Sequence, residues 1–307
     1  MVTAPLPAGA MVALATPVNP DGSLDPEGLE RLLGHVVAGG IAGISPCGST
    51  GEGARLTADQ RQRVALQVLE QAPGLPVIPG VAATSLGEAR RELDLLGELG
   101  ATAALVAPPS YFPSTDAETE DLYVRLADES PIPLVLYNIP QFTKAPVRPS
   151  VVGRLMLHPN IIGIKDSSRD LEYLQNVISA TAEANLIGDF RIYTGTDTML
   201  VASALAGADG TIAASANLVP HLGVRILELV STDLPQALEL QRELGIIVAA
   251  CRKGSPPAGW KAALSLSGIC DRTLVPPAKG LSEDQVEEMW RKLQQSAVFA
   301  SGLGGPS

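Results

Sequence analysis

PLVLYNIP, residues 133–140, and IIGIK, residues 161–165, are two short apolar runs joined by a connection long enough to hold a helix. Both runs are apolar almost throughout, which is typical of strands covered on both faces of a parallel sheet. They therefore predict two parallel strands with a helical crossover between them. Each run carries a reactive side chain near its carboxyl end, Tyr137 in the first and Lys165 in the second.

The same alternation of apolar runs and amphipathic helical patterns continues along the chain. The predicted strands are residues 11–17, 43–46, 76–80, 103–107, 133–138, 161–165, 190–195 and 210–214. Eight strand–helix units over roughly 230 residues match an α/β fold of the (β/α)8 TIM barrel type in size. A doubly wound open sheet has the same alternation and differs only in closure, so it is the alternative.

Capping residues and further helical patterns define the rest of the organisation. Thr57 and Gln60 have the spacing of an N-terminal capping box, as do Ser85 and Glu88. Additional C-terminal helices are predicted at residues 234–251, 257–267 and 282–295. We expect a barrel over residues 1–230 and a helical appendage over residues 231–307, packed on it as one structural unit. The final SGLGGPS is expected to be frayed.

Composition limits the class of partner. The 307 residues are 46% hydrophobic and 18% charged, enough for one large core, and the net charge of -11 argues against nucleic acid or an anionic membrane. The N-terminus lacks the basic start of a secretory signal, and no uncharged, unbroken apolar run is long enough to span a bilayer. We expect a cytoplasmic protein with no nucleic-acid or membrane partner. Cys47, Cys251 and Cys270 have no metal-like spacing, so we expect no metal.

Lys165 is the first candidate catalytic residue. The chain has six lysines, of which five fall in loop or helical surface patterns and only Lys165 ends an apolar strand. Catalytic groups of a barrel lie at the carboxyl ends of its strands, and a lysine amine there can attack a ketone to form a Schiff base. The alternative is a lysine that leaves the strand into solvent or pairs with Asp166. However, Asp166 should point to the opposite face of the strand.

Tyr137 occupies the matching place on the preceding strand. Neighbouring strands lie about 4.8 Å apart, so the phenol and the Lys165 amine can meet over one substrate. A phenol at that place can move protons during imine formation and carbon–carbon cleavage. For Tyr137 considered alone, ordinary packing with a satisfied hydroxyl is the alternative.

GSTGE, residues 48–52, directly follows the second strand. Glycines and small hydroxyl residues after a strand expose backbone N–H groups that can hold a carboxylate. The segment is not GxxxxGK[ST] and contains no lysine, which argues against a nucleotide P-loop. An ordinary turn is the commoner explanation for such a segment alone. We expect Glu52 to cap or orient this turn.

Together these segments resemble the dihydrodipicolinate synthase / N-acetylneuraminate lyase superfamily of class I, pyruvate-dependent aldolases. The matching segments are ALATP (13–17), GSTGE (48–52), YNIP (137–140), GIKDSS (163–168), GTDTMLVASALAGADGTIAASAN (195–217) and VPPAKGLS (275–282). They occur in family order and spacing from about Gly9 to Gln295. That combination is far more specific than any one of its segments.

The resemblance implies roles for the residues at the strand ends. Lys165 would form the imine with the pyruvate carbonyl, and Tyr137 would act as general acid and base. Ser49 and Thr50, with Gly51 in the same turn, would bind the pyruvate carboxylate, and Ser49 would help relay a proton to Tyr137.

The resemblance also implies an assembly and the remaining lining of the pocket. Tyr111 falls where the family places a tyrosine that reaches into the active site of a neighbouring subunit, so a homotetramer built as a dimer of dimers is implied. Gly195 and Ile212 would line the pocket through backbone atoms. No cofactor is implied, because the protonated imine itself is the electron sink.

Departures from the family pattern narrow the substrate. Phe142 stands where dihydrodipicolinate synthases place an arginine that binds the carboxylate of the aldehyde substrate. Replacing that arginine removes a bidentate partner of the carboxylate, so the change is not neutral for substrate binding. Thr198 replaces a glutamate with which sialic-acid lyases hold sugar hydroxyls, although the preceding Asp197 is kept, and Ala214 aligns with a serine of the same purpose. The chain is therefore nearest to 2-keto-3-deoxygluconate aldolase-like members. We predict a carbon–carbon lyase that cleaves or forms a 2-keto-3-deoxy sugar acid from pyruvate and an aldehyde.

Four alternatives remain at this stage. A 4-hydroxy-2-oxoglutarate aldolase would need a cation for the second carboxylate of its substrate, for which Lys144 is a candidate. The others are a 4-hydroxy-tetrahydrodipicolinate synthase, a 2-keto-3-deoxy acid dehydratase of the same fold, and a catalytically silent protein that binds 2-oxo acids.

Overall fold

The computed structural model describes residues 6–82 and 84–301, which contain an eight-stranded parallel barrel. The strands are β1 (Gly9–Ala13), β2 (Gly43–Ser45), β3 (Gly80–Val81), β4 (Ala104–Val106), β5 (Leu134–Asn138), β6 (Ile161–Asp166), β7 (Arg191–Thr194) and β8 (Gly210–Ala213). The sheet closes between β2 and the segment before β3, where the Ile44 N–H donates to the Pro76 carbonyl at 2.9 Å and the Ile78 N–H donates to the Ile44 carbonyl at 2.8 Å. The predicted TIM barrel is confirmed, and the open doubly wound sheet is excluded.

The helices lie between the strands and after the last of them. They are α1 (Pro26–Ala38), α2 (Ala58–Gln71), α3 (Leu86–Leu99), α4 (Asp116–Glu129), α5 (Pro140–Thr143), α6 (Pro149–Leu155), α7 (Leu171–Glu183), α8 (Leu200–Ala206), α9 (Pro220–Leu229), α10 (Leu234–Cys251), α11 (Ala258–Leu266), α12 (Glu283–Leu293) and α13 (Ala297–Ala300). Thr57 and Gln60 form the predicted capping box of α2. At the start of α3 the Ser85 hydroxyl accepts the Glu88 N–H, but the Glu88 carboxylate accepts from the Thr84 N–H and hydroxyl, so only half of the predicted capping box forms.

Six strands lie within one residue of their predicted bounds at each end, and the other two, β1 and β3, differ by more, each for a local reason. β1 ends at Ala13 rather than at residue 17 because the Asn217 side chain takes over its pairing: its amide oxygen accepts the Ala15 N–H and its amide nitrogen donates to the Ala13 carbonyl, both at 2.8 Å. β3 is confined to Gly80–Val81, since Pro76 and Pro79 have no N–H for the ladder.

The barrel interior is packed, and Leu6 and Pro7 close its amino end. The interior cluster includes Leu6, Met11, Tyr137, Tyr193 and Ile212. The Tyr193 hydroxyl donates to the Pro7 carbonyl at 2.7 Å. With the amino end filled in this way, a substrate has access from the carboxyl ends of the strands, which is the active end of this fold.

The helices beyond residue 230 pack on the barrel, with α10 against α9 and α12. One apolar cluster runs from β1 and α1 through α9 to α12. The division at residue 230 stays a prediction, and residues 302–307 of the SGLGGPS segment lie outside the described part of the chain. Within the described residues, none of the helices combines the length and apolarity needed to cross a membrane.

Candidate active site

Lys165 and Tyr137 are direct register partners on neighbouring strands β6 and β5. The Lys165 Nζ lies 4.6 Å from the centroid of the Tyr137 ring. Lys165 is 4% exposed and Tyr137 is 5% exposed. The alternative in which Lys165 leaves its strand into solvent is therefore wrong, and the predicted meeting of amine and phenol at one place is confirmed.

Asp166 faces away from this pair and has its own partners. Its carboxylate accepts the Asn138 side-chain amide at 2.7 Å and the Ser168 backbone N–H at 3.1 Å. Burial raises the pKa of the Asp166 carboxyl, opposed by these hydrogen bonds. The pairing of Lys165 with Asp166 is wrong because successive residues of a strand point to opposite faces. Asp166 instead joins the ends of β5 and β6.

The turn after β2 places Ser49 beside Tyr137. The Ser49 Oγ lies 3.3 Å from the Tyr137 hydroxyl oxygen, and either can be the donor. The Glu52 N–H donates to the Ser49 carbonyl at 3.2 Å, and the Thr16 hydroxyl donates to the Gly51 carbonyl at 2.7 Å. Thr50 is part of the same turn and partly exposed. The turn is thus held by the barrel through its backbone, with the Ser49 hydroxyl beside that of Tyr137.

Gly195 lies against Lys165, and Ile212 lies in the barrel interior. A Cβ added to Gly195 would lie 2.9 Å from the Lys165 Cε and 2.0 Å from the Ser167 Oγ, so only glycine fits without displacing the lysine. The Gly195 N–H donates to the Asp166 carbonyl at 2.6 Å. Ile212 is buried in the same interior cluster as Tyr137. The predicted binding roles of both residues remain predictions.

A cleft of about 370 Å3 opens beside Ser49 and Tyr137. Phe142, 49% exposed, lies on its wall. Of the residues that the structure describes, Arg55 supplies the only cationic side chain of this lining. Lys144 is exposed, and its Nζ donates to the Gln141 carbonyl at 2.9 Å. Lys144 therefore binds a carbonyl at the end of α5 rather than lining the cleft. The cation of the cleft is Arg55, which was not predicted from the sequence.

Tyr111 is not enclosed by its own chain. Its side chain is 85% exposed, and that of Phe112 is 74% exposed, with the two ring centroids 4.9 Å apart in an edge-to-face arrangement. Large aromatic side chains exposed side by side mark surfaces that other molecules cover. The predicted role of Tyr111 in a neighbouring subunit is not tested by one chain and stays a prediction.

Lys261 was predicted on a surface pattern, and this is wrong. Lys261 is fully buried on α11, and its Nζ lies 2.7 Å from the Glu52 Oε1. A buried lysine is tolerated where a carboxylate compensates its charge, and Glu52 supplies that charge. The sequence feature that could have predicted its burial is the helix AGWKAALSL, which carries no other charged residue. That signal identifies burial, but not the partner.

Cys47 lies close to the turn without chemistry of its own. Burial raises the pKa of its thiol to about 12, so the nucleophilic thiolate is not available near neutral pH. Within residues 6–82 and 84–301, no cluster of three or more His, Cys, Asp or Glu side chains has the arrangement of a metal site.

Comparison with known proteins supplies the wider context. The model of the dihydrodipicolinate synthetase family matches residues 6–296. A 4-hydroxy-tetrahydrodipicolinate synthase of Methanothrix thermoacetophila is 31% identical over 277 residues, covering 90% of this chain and 92% of the relative. The dihydrodipicolinate synthase structure from Thermotoga maritima has a TM-score of 0.91 at 28% identity, over 95% of this chain and 99% of that one. A prophage protein of the same family from E. coli K12, solved in complex with pyruvate, has a TM-score of 0.89 at 28% identity, over 94% and 98% of the two chains.

Proposed function

This chain belongs to the dihydrodipicolinate synthetase family, and from that premise we propose that it is a class I aldolase or lyase in which Lys165 forms a Schiff base with pyruvate. One observation carries the proposal: a buried lysine amine lies 4.6 Å from the ring of a tyrosine whose hydroxyl is 3.3 Å from a serine hydroxyl. A nucleophile, a proton carrier and its relay are thereby within reach of one small ketone.

The first step is imine formation. The Lys165 amine attacks the carbonyl carbon of the 2-oxo acid, and the resulting carbinolamine loses water to give a protonated imine. The oxygen leaves as water, so a proton has to be delivered to it. Tyr137 and Ser49 are placed to carry that proton, because their oxygens lie within hydrogen-bond reach of each other. The carboxylate of the 2-oxo acid binds in the turn of Ser49, Thr50 and Gly51.

The second step is cleavage of the bond between C3 and C4 of the substrate. The C4 hydroxyl gives its proton to the tyrosine relay and becomes the aldehyde, while the bonding electrons move into the imine to form an enamine. Protonation at C3 and hydrolysis then release pyruvate and the free amine of Lys165. In the reverse direction the same groups join pyruvate to an aldehyde.

We further propose that the substrate is a 2-keto-3-deoxy sugar acid, whose sugar end leaves as the aldehyde. Phe142 places an apolar ring on the wall of the cleft, where it cannot pair with a carboxylate. Asp197 is buried and its carboxylate accepts the Ser215 N–H at 2.8 Å, which engages it in joining the ends of β7 and β8. These features support neither a dicarboxylic product nor a long polyhydroxylated acid.

The substrate assay separates the candidates. We expect purified protein to release pyruvate from 2-keto-3-deoxygluconate, and to use pyruvate plus aspartate semialdehyde with a kcat/KM about 10- to 100-fold lower. This difference corresponds to one missing charge-assisted hydrogen-bonded pair, worth about 1.5–3 kcal/mol. Phe142→Arg should raise the second activity, whereas Phe142→Leu, the uncharged control, should not. Consumption of the sugar acid without release of pyruvate would indicate a dehydratase instead.

A 4-hydroxy-tetrahydrodipicolinate synthase is the second candidate, supported by the name of the Methanothrix relative. Arg55 gives it a possible carboxylate partner, since its guanidinium lines the same cleft as Phe142. In the assay above, this candidate requires the condensation with aspartate semialdehyde to exceed cleavage of the sugar acid.

We also propose that the active enzyme is a homotetramer in which the exposed Tyr111 ring is covered by another copy. Sedimentation velocity should give a tetramer. Tyr111→Phe should assemble normally but lower kcat by about 10²-fold if its hydroxyl takes part in proton transfer. Phe112→Leu, at the adjacent exposed ring, is the control and should keep nearly full activity. A fully active monomer would contradict this arrangement.

A further inference from the structure

A buried ion pair connects the C-terminal helices to the turn that precedes the catalytic strands. The side chains of Lys261 on α11 and Glu52 in the turn are both 0% exposed, with the Lys261 Nζ 2.7 Å from the Glu52 Oε1. The same ammonium donates to the Thr273 carbonyl at 2.7 Å. The lysine is thereby held by two oxygens, one from the turn and one from the segment after α11.

The second oxygen of Glu52 is also fully engaged. The Glu52 Oε2 accepts the Val275 N–H at 3.0 Å and the Arg55 Nη1 at 3.0 Å. The same Arg55 Nη1 donates to the Pro256 carbonyl at 3.1 Å. Glu52 is therefore the point at which the loops on either side of α11 contact the turn.

The backbone of Glu52 shows why such a contact matters. Its φ is 56°, in the left-handed region that non-glycine residues adopt only when their surroundings impose it. Glu52 follows Gly51 directly, and its N–H closes the turn on the Ser49 carbonyl. A change in the Glu52 backbone therefore shifts Gly51 and Ser49, of which Ser49 lies beside Tyr137.

We propose that Lys261 is a positioning residue that acts through Glu52 to hold the turn of Ser49, Thr50 and Gly51 in the geometry that receives the substrate carboxylate. This inference rests on the proposed function for the identity of the ligand. It makes the C-terminal helices a working part of the active site rather than only a support for the barrel. Stability alone gives a weak reason for the pair, because an apolar pair of similar volume often serves a core equally well.

The charges of this cluster support the same role. Glu52 contributes one negative charge and pairs with the two positive charges of Lys261 and Arg55, while the Asp271 carboxylate also acts on Lys261. The whole chain carries a net charge of -11. Arg55, which lines the cleft, therefore offers a positive side chain to an anionic 2-oxo acid on a chain that is acidic as a whole.

The test measures imine formation directly. Each protein is incubated with increasing pyruvate, reduced with borohydride, and the adduct on Lys165 is quantified by mass spectrometry. Lys261→Met should raise the half-saturating pyruvate concentration at least about tenfold, corresponding to about 1.4 kcal/mol of carboxylate binding, while saturating pyruvate still labels Lys165. Lys253→Met is the matched control: Lys253 pairs with Glu288 in the same C-terminal region, and its loss should change that concentration by less than about twofold.

Glu52 left without its partner is an unpaired buried charge, so Lys261→Met alone can fail to fold. The double variant Glu52→Gln/Lys261→Met removes both charges and should show the same tenfold rise. A folded single or double variant whose half-saturating concentration stays within about twofold of the wild type overturns the inference alone. If the wild-type protein forms no adduct at all, the proposed function fails and this inference fails with it.

Discussion

Lys165→Ala is expected to remove all pyruvate-dependent borohydride trapping and to lower kcat at least about 10⁴-fold, the order of effect found when a covalent nucleophile is deleted. The physical reason is that the amine itself forms the bond to substrate. Lys165 is buried with its Nζ 4.6 Å from the centroid of the Tyr137 ring, and Tyr137 lines the cleft. Among the described residues, no lysine is itself part of the cleft lining, so none stands ready to replace Lys165. Intact-mass spectrometry after reduction measures the adduct, and release of pyruvate measures turnover.

Two further variants make this test specific for covalent chemistry. Lys165→Arg keeps a positive charge but replaces the amine with a guanidinium that stays protonated, so it should be as inactive as Lys165→Ala. Activity retained by the arginine variant would indicate an electrostatic role instead. Lys144→Ala is the lysine control, because Lys144 is exposed and bonded to the Gln141 carbonyl, and it should trap pyruvate like the wild type.

Tyr137→Phe is expected to lower kcat by about 10²- to 10³-fold, within the range for loss of a general acid–base group. The substitution keeps the buried ring over Lys165 and removes only the hydroxyl that lies 3.3 Å from the Ser49 Oγ. Imine formation should slow, but prolonged incubation with pyruvate should still label Lys165. A stopped time course of trapping, together with steady-state turnover, measures the two effects separately.

Tyr193→Phe is the matched control for this experiment. Tyr193 is also a buried tyrosine of the barrel interior and is the register partner of Lys165 on β7, but its hydroxyl donates to the Pro7 carbonyl rather than contacting Ser49 or Tyr137. Its loss should cost about 1 kcal/mol of stability, as for one buried hydrogen bond, and leave turnover within a few-fold of the wild type. Equal losses of turnover in the two variants would mean that the Tyr137 hydroxyl supports packing rather than chemistry.

The roles proposed for these segments also explain why residues from distant parts of the chain form the cleft. In the proposed mechanism the turn of GSTGE binds the carboxylate and residues of β5 and β6 carry out the chemistry. Ser255 and Pro256, from the C-terminal region, line the same cleft. If the C-terminal helices hold the turn through Lys261, then variants far from Lys165 in sequence change pyruvate affinity. Truncations of this region should therefore be judged by substrate binding as well as by stability.

Local features were readable from the amino-acid order because their causes are local. The apolar runs predicted eight buried strands and favoured a barrel by their number, whereas its closure was decided by the contacts between β2 and the segment before β3. The Thr57–Gln60 capping box depends on residues three positions apart. Tyr137 and Lys165 could be paired from sequence because each stands near the carboxyl end of its strand, and parallel strands bring those ends together.

Contacts between distant segments decided the rest. The Asn217 side chain ends β1 by accepting the N–H of Ala15, a residue 202 positions away in the sequence. The Val275 N–H donates to Glu52, which is 223 positions away. Lys261 was assigned to the surface because periodicity shows which face of a helix is apolar. It does not show which carboxylate lies next to a lysine in the folded protein. A buried charge is stable only with a partner in place, and that partner is brought there by the closed barrel and the helices packed on it.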